Sequence, residues 1–203
     1  MRGSKPPVRQ VTARAQRREI LAFVEGRETE ERYLTHWARR HRDRVLVTID
    51  PFRGGPLQLV EHAVAAKRRD ERDAKRGRGK PYDEIWCVFD IDEHPNIEAA
   101  RSLAERNDIA LAVSNPCIEL WFLLHFAERF AYLDRYEAQR LARAHLGAGK
   151  VLHERALETL IARIEDATLR AQKLEEKHEG DGSPLGANPG SGMWRLVDRI
   201  RNA

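Results

Sequence analysis

Short apolar runs alternate with longer amphipathic segments over the first 126 residues of the chain. Four runs have the length and composition of β-strands: 19–24, 45–49, 84–89 and 109–113. Between them, apolar residues recur at helical spacing in 27–42, in a segment that starts at Pro56, and in 95–107. This alternation is typical of an α/β fold, so the sequence predicts a mostly parallel four-stranded sheet flanked by helices.

The chain beyond residue 115 has a different pattern. Helical periodicity continues in 116–126, 134–146, 151–177 and 191–201, and a polar loop rich in glycine and proline occupies 179–190. The pattern predicts three parts. They are a basic flexible arm at 1–18, an α/β catalytic core at 19–126, and a helical extension at 127–203 that packs on the core.

Composition limits the class of protein. The 203 residues are 41% hydrophobic and 33% charged, and no apolar run approaches the ~20 residues of a membrane-spanning helix. The amino terminus also lacks the apolar core of a secretion signal, so we expect a cytoplasmic protein without membrane contact. Cys87 and Cys117 lie in apolar segments and are predicted to be buried and reduced, because two thiols alone cannot form a four-ligand zinc site.

The net charge of +4 is unevenly distributed. Residues 1–18 contain basic side chains and no acidic one, and the stretch 67–80 is strongly basic. Such runs attract polyanions, which predicts nucleic-acid binding by the basic stretch. A solvated helix face followed by a flexible loop explains the same pattern equally well. The residues assigned to nucleic-acid binding are Arg68, Arg69, Lys75, Arg76, Arg78 and Lys80.

Acidic side chains stand where three of the predicted strands end. Glu25 follows the first strand, Asp90 and Asp92 follow the third, and Glu119 comes shortly after the fourth. Because the carboxyl ends of parallel strands share one edge of a sheet, we expect these carboxylates to converge there. Packed carboxylates repel one another unless a hard cation neutralises them. The sequence therefore predicts a site for Mg²⁺ or Mn²⁺ and metal-assisted chemistry on phosphates.

The predicted roles differ among the acids. Asp90 and Asp92 are two residues apart on a strand, so both carboxylates point to the same face and can reach one cation. Glu25 is either a metal ligand or the general acid or base. Glu30 is either a further ligand or a carboxylate placed in the first turn of a helix by the helix dipole. Asp residues are also common in turns, which is the structural alternative for the Asp pair.

Glu119 is predicted to lie in the first turn of a helix that Asn115 caps and Pro116 starts. A glutamate in so apolar a helix needs a polar partner, which a metal or a positive site residue supplies. His94 follows the Asp pair and is a weaker candidate, whereas His125 has the setting of a core histidine. The four tryptophans also fall at core spacing, so we expect them to pack in the core. They are Trp37, Trp86, Trp121 and Trp194.

Three stretches of the chain carry a family resemblance. They are 25–30, 83–94 and 114–126, and the late pair Asn188-Pro189 follows them. The Glu-Gly pair after the first strand and the Asp-x-Asp after a later one resemble the Toprim domain of topoisomerases, primases and OLD-type nucleases. Over residues 19–202 the chain resembles more closely the RloB-like family of bacterial restriction and phage-defence loci.

The resemblance implies a Toprim-like sheet and Mg²⁺-dependent cleavage of RNA, with tRNA among the candidates, or of DNA. It implies that Asp90 and Asp92 are metal ligands, that Glu25 is the general acid or base or a second-metal ligand, and that Glu119 is a further site acid. The chain has no Walker-type phosphate-binding loop, so ATP-driven regulation requires a partner such as an ATPase encoded nearby. The apolar helical half is compatible with a homodimer.

Two other functions fit the same residues. One is a non-catalytic nucleic-acid-binding effector or scaffold, in which the acids hold a structural cation. The other is a phosphatase of the haloacid-dehalogenase type with Asp90 as nucleophile. Those enzymes place Asp-x-Asp after the first strand, whereas the motif comes late in this chain. Turnover on nucleic acid separates the nuclease from the scaffold, and an aspartyl-phosphate on Asp90 would identify the phosphatase.

Overall fold

The computed structural model describes residues 16–91, 94, 96–147, 152–184 and 186–203. These residues form a sheet with helices on both faces. Its strands are β1 (Arg18–Val24), β2 (Val45–Ile49), β3 (Glu84–Asp90), β4 (Ala110–Asn115) and β5 (Gly190–Ser191). The helices are α1 (Thr29–Arg40), α2 (Pro56–Lys75), α3 (Ile97–Arg106), α4 (Ile118–Leu124), α5 (Arg135–Leu146), α6 (Glu154–Ala162), α7 (Ile164–Gly180) and α8 (Met193–Arg201).

The strand order is β2-β1-β3-β4-β5. The pairs β1–β2, β1–β3 and β3–β4 are parallel, which confirms the α/β class and its largely parallel sheet. The predicted number of four strands is wrong, because β5 adds an antiparallel edge in which Ser191 pairs with Ser114. A strand of one glycine and one serine carries no apolar alternation, so sequence periodicity has nothing to detect there.

Alternate residues of the central strands face two separate hydrophobic clusters. On β3, Ile85, Cys87 and Phe89 pack with α2 and α3, while Trp86 and Val88 pack with α1, α4 and the carboxyl-terminal helices. Period-2 alternation in a sheet covered on both faces leaves every position of such a strand apolar. This explains why 84–89 is the most continuous apolar run, and it confirms the central position of β3.

The carboxyl-terminal helices pack on the same sheet. The helix α8 contacts α1 and β4, and α7 contacts α4. The single helix predicted at 151–177 is two helices, because the chain breaks at Arg163, which ends α6 and precedes α7. None of the described helices has the length and apolar character needed to cross a membrane. The predicted arm at 1–18 lies almost wholly outside the described residues, and Arg18 already belongs to β1.

The predicted helix start at Asn115 and Pro116 is wrong. Asn115 is the last residue of β4, and Cys117 takes the N-cap position of α4. Pairing with Gly190 of β5 extends β4 through Asn115, so strand pairing overrides the local preference of asparagine for a helix cap. Glu119 nevertheless stays in the first turn of α4, as the sequence predicts.

Most of the predicted packing residues are buried. Trp37, Trp86 and Trp121 have at most 4% of their surface exposed, and Cys87 and Cys117 are buried free thiols. Trp194 is half-buried and donates a hydrogen bond from Nε1 to the Glu175 carboxylate.

His125 is confirmed as a core histidine, and its burial predicts a pH dependence of stability. Its Nδ1–H donates to the carbonyl oxygen of Trp121 at 2.8 Å, and burial lowers the pKa of the ring from 6.5 to about 3. Between those values the unfolded chain binds a proton that the folded chain excludes, so stability rises with pH. His125 should therefore cost up to about 1.4 kcal/mol of unfolding free energy per pH unit as pH falls from 6 to 4.

Urea unfolding of the wild type and of His125→Gln at pH 7, 6, 5 and 4 measures this contribution. The variant should lose less stability on acidification than the wild type, because glutamine does not titrate. The exposed histidine at the start of α6 supplies the control His153→Gln, which should retain the wild-type slope. Equal slopes for His125→Gln and the wild type would contradict a neutral, buried His125.

Candidate functional site: an acidic cluster at the sheet edge

The strand order creates a switch point between β1 and β3. From β1 the chain crosses through α1 to β2 on one side, whereas from β3 it crosses through α3 to β4 on the other. The carboxyl ends of two strands that diverge in this way leave a crevice, which is where open α/β sheets bind ligands. Glu25 follows the last residue of β1, and Asp90 is the last residue of β3. Both therefore lie at this crevice.

Glu25 connects the two strands at the switch point. One carboxylate oxygen, Oε2, accepts a hydrogen bond from the backbone N–H of Asp90 at 3.2 Å. The other, Oε1, lies 3.0 Å from Nε2 of His94. The two side chains are 27% and 35% exposed, so the pair can be reached from solvent. A carboxylate held between a backbone donor and an imidazole has a fixed orientation and can exchange a proton through the histidine.

Glu30 occupies the first turn of α1 and is only 7% exposed. Its carboxylate accepts hydrogen bonds from its own backbone N–H and that of Gly26, while burial and the charges of Glu119 and Glu25 raise its pKa. A Cβ atom at Gly26 would overlap this carboxylate. Glycine is therefore required at position 26 to let Glu30 approach the backbone, which gives the Glu-Gly pair a steric reason.

Asp90 carries the strongest electrostatic perturbation of the cluster. Burial and the negative charges of Glu30, Glu119 and Glu25 raise the pKa of Asp90 well above its usual value, and the positive charge of Arg135 lowers it in part. These four carboxylates consequently belong to one electrostatic group. The sequence places them over almost a hundred residues, and the fold brings them together.

Glu119 contacts the thiol that precedes it in the chain. The Cys117 thiol donates a hydrogen bond to the Glu119 carboxylate, and burial together with the charge of Glu119 raises the pKa of this thiol. The negative charge of Asp90 raises the pKa of Cys117 as well. Cys117 therefore stays protonated beside the acids, and it acts as a donor to Glu119 rather than as a thiolate ligand.

The donor set fits a hard divalent cation. The cluster offers only carboxylate oxygens, and a cation would offset the repulsion that raises the pKa of Asp90. Among the described residues, the one trio with ligand atoms within 4.8 Å of each other is His36, Glu154 and Glu158, on α1 and α6. No three of the described acids of the cluster meet that distance, so they form an open set in which water would complete the coordination of a cation. Mg²⁺ suits an open set because it retains several waters. The predicted ligand Asp92 lies outside the described residues.

Two residues at the cluster had little or no sequence signal. His94 stands in a loop and was only a weaker candidate from its position after the Asp pair, yet it contacts Glu25. Arg135 begins α5 and follows the N-cap Asp134, whose side chain accepts a hydrogen bond from the backbone N–H of Glu137. Its position near Asp90 depends on how α5 packs, and sequence periodicity does not encode that packing.

Asn188 fastens the segment before α5 to the end of β4. Its Oδ1 accepts from the backbone N–H of Leu133 at 2.9 Å, and its Nδ2 donates to the Leu133 carbonyl at 2.8 Å. The same Nδ2 donates to Oδ1 of Asn115 at 3.1 Å, and Asn115 donates from Nδ2 to the Gly186 carbonyl. The N-cap of α8 is Gly192, so the late Asn-Pro pair joins two loops and does not cap the last helix.

The six predicted nucleic-acid-binding residues lie away from the acids. Gly55, just before α2, lies beside His94, and the 20 residues of α2 then extend ~30 Å toward the opposite edge of the sheet. Arg68 contacts Asn107, Arg78 contacts Asp73 and Lys80 contacts Asp83. The other three, Arg69, Lys75 and Arg76, are exposed and form no ion pair with another described residue. The fold does not bring the basic stretch to the acidic cluster.

Fold and site together define an α/β protein with a carboxylate cluster at the switch point of a mixed five-stranded sheet. Residues 20–200 match the family described as RloB-like protein, so the chain belongs to the RloB-like family. This match covers all the described strands except the first two residues of β1. It includes all four described acids of the cluster. No curated protein matches the chain.

Proposed function

We propose that this protein is a metal-dependent nuclease of the Toprim type that acts in the cytoplasm and cleaves phosphodiester bonds of RNA, with tRNA among the candidates, or of DNA. The observation that carries the proposal is the group of four carboxylates that Asp90 forms with Glu25, Glu30 and Glu119 at the switch point. Nothing in the apolar core needs four neighbouring carboxylates that are buried or half-buried, whereas a cation that binds phosphate oxygens does. The family resemblance adds bacterial anti-phage defence as the setting.

The site residues have different roles in this proposal. Asp90, Asp92 and Glu30 hold the cation, and Glu119 adds negative charge beside them. Bound Mg²⁺ or Mn²⁺ supplies Lewis-acid polarisation of the scissile phosphate. Glu25 acts as general acid or base, since its Oε1 contacts the His94 ring and its Oε2 is fixed by the backbone of Asp90. Regulation by an ATPase encoded nearby and a homodimeric state stay predictions.

The phosphatase alternative fits this geometry less well. Asp90 ends the third strand in sequence, and three neighbouring carboxylates surround it with negative charge. A nucleophile in that field repels a phosphate dianion unless the charge is first neutralised. The structural-cation alternative predicts the same cluster without turnover, and activity therefore decides between the scaffold and the nuclease.

Incubation of the purified protein with labelled tRNA, single-stranded RNA, single-stranded DNA and duplex DNA tests the proposal. Each substrate is incubated with Mg²⁺, with Mn²⁺ and with a chelator. We expect cleavage of at least one substrate with either cation and none with the chelator, because the acids alone repel the phosphate backbone. The melting temperature of the protein should rise when Mg²⁺ is added. A Mg²⁺-dependent rise without cleavage of any substrate would favour the scaffold instead.

A further inference from the structure

Three exposed aromatic residues lie on the segment that leads into α5 and on the first turn of this helix. Tyr132 is 77% exposed, Tyr136 is 83% exposed and Phe130 is 42% exposed. We call these three residues the aromatic ledge. Groups of exposed apolar side chains mark candidate binding surfaces. The structure gives both tyrosine rings no aromatic partner within the described residues.

The ledge is fastened to the edge of the sheet that carries the acids. Leu133, next to Tyr132, exchanges two hydrogen bonds with the Asn188 side chain, which also donates to Asn115 at the end of β4. The residue before Asn115 is Ser114, which is the β4 partner of Asp90. A continuous set of hydrogen bonds thus links the ledge to the strand end that holds Asp90.

A positively charged residue lies between the two tyrosines in the sequence. Arg135 precedes Tyr136 directly and follows Tyr132 by three residues. It lies close enough to the acids that its charge lowers the pKa of Asp90. An arginine flanked by aromatic rings combines a contact for phosphate with stacking surfaces for bases.

From this arrangement we infer that the aromatic ledge binds unpaired nucleotides of a single-stranded nucleic acid, stacking bases on Tyr132 and Tyr136 while Arg135 contacts the backbone. This inference rests on the proposed nuclease function and narrows its substrate class to single strands or unpaired loops. Bases inside a duplex are stacked on one another and present no free face to a tyrosine.

A protein partner is the other occupant that an exposed aromatic surface can take. The charge favours nucleic acid. The ledge is linked through Asn188 to the strand end of Asp90, whose carboxylate cluster is suited to a cation and hence to phosphates, and Arg135 between the two tyrosines in sequence acts on Asp90. The basic stretch on α2 has charge without exposed aromatic rings, so it offers attraction to any polyanion but no means of choosing single strands.

Fluorescence anisotropy tests the inference without cleavage. The probes are fluorescein-labelled single-stranded RNA and DNA of about 12 nucleotides, and the corresponding duplexes, all in chelator. The double variant Tyr132→Ala/Tyr136→Ala should weaken single-strand binding by at least about 20-fold and should leave duplex binding within about twofold. The double variant Tyr132→Phe/Tyr136→Phe keeps both rings and should bind within about twofold of the wild type.

A matched control removes an exposed apolar side chain elsewhere. Leu169 on α7 is 54% exposed, and Leu169→Ala should leave single-strand binding unchanged. Size-exclusion chromatography of each variant shows whether the assembly has changed. If the alanine pair binds single strands like the wild type, the inference is overturned. A shift from dimer to monomer in that pair, with unchanged binding, overturns it in favour of a protein interface.

Failure of this inference is distinguishable from failure of the nuclease proposal. Ring-dependent single-strand binding without cleavage in Mg²⁺ or Mn²⁺ supports the ledge and contradicts the nuclease. Cleavage that is as efficient on continuous duplex as on single strands, with kcat/KM unaffected by the alanine pair, supports the nuclease and overturns the ledge.

Discussion

Asparagine in place of Asp90 should reduce cleavage by at least about a thousandfold, or ~4 kcal/mol of transition-state stabilisation, without unfolding the protein. The substitution keeps the size of the side chain. It removes the carboxylate charge that Glu25, Glu30 and Glu119 surround. A site that binds a divalent cation through Asp90 loses both the ligand and the charge that attracts it. Cleavage is measured as kcat/KM on the best substrate of the panel.

The same variant has a second expected effect of opposite sign. The pKa of Asp90 is raised in the folded chain, so at neutral pH the ionised carboxylate is less favourable in the folded state than in the unfolded state. Asp90→Asn removes that cost, so its melting temperature in chelator should equal or exceed that of the wild type. Added Mg²⁺ should raise the melting temperature of the wild type and not that of the variant.

The exposed Asp108 provides the control, since its carboxylate pairs with Lys67 at the surface. Asp108→Asn should cleave like the wild type and respond to Mg²⁺ like the wild type. Unchanged cleavage by Asp90→Asn with Mg²⁺ present would remove Asp90 from the site, and with it the proposed mechanism. A variant that melts far below the wild type in chelator would show that Asp90 stabilises the fold instead.

The meeting of Glu25 with Asp90 was predictable from the sequence, because it follows from two local patterns and one topological rule. Each residue comes at the end of an apolar strand, and parallel strands end at one edge. The strand ends were predicted to within one or two residues for β1, β2, β3 and β4. Local periodicity sufficed because both faces of the sheet are covered and the apolar runs are therefore long.

Arg135 and Asn188 mark what the sequence could not predict. Arg135 reaches Asp90 because α5 packs against α4, and many weak contacts distributed over both helices determine that packing. Asn188 lies in a polar loop without periodicity, and only long-range hydrogen bonds place it against Asn115 and Leu133. The short strand β5 was not predicted, for the same reason. Its place is specified by pairing partners that are distant in sequence.

The charge pattern of the basic stretch fits nucleic-acid binding and a solvated helix face equally well. The fold separates it from the acids along α2, by about 18 Å of helix at Arg68 and ~30 Å at the helix end, which several nucleotides of an extended strand could span. All six assigned residues are exposed, and Arg69, Lys75 and Arg76 form no ion pair with another described residue, so they remain available to a polyanion. The charge pattern alone could not distinguish a remote contact from a catalytic one, because distance to the site is a property of the fold.

Aspartate in place of Asn188 should destabilise the protein by about 3 kcal/mol and weaken single-strand binding at the same time. The side chain keeps its shape and loses both Nδ2 hydrogen bonds. An anionic oxygen then faces two acceptors, the carbonyl oxygen of Leu133 and Oδ1 of Asn115. Reversing the Asn115 amide would relieve one of these repulsions only by breaking its hydrogen bond to the Gly186 carbonyl. No inexpensive rearrangement exists, so the loops should separate.

Urea unfolding measures the stability change, and anisotropy with the single-stranded probe measures binding. Gln16→Glu makes the same amide-to-carboxylate change at an exposed position before β1, and it should shift stability by no more than about 0.5 kcal/mol. If Asn188→Asp unfolds like Gln16→Glu, the three hydrogen bonds of Asn188 do not hold the ledge. If it unfolds more readily yet binds single strands like the wild type, the ledge does not depend on this attachment. Loss of both together is expected, because the same side chain holds the loops closed and keeps Tyr132 beside the strand end of Asp90.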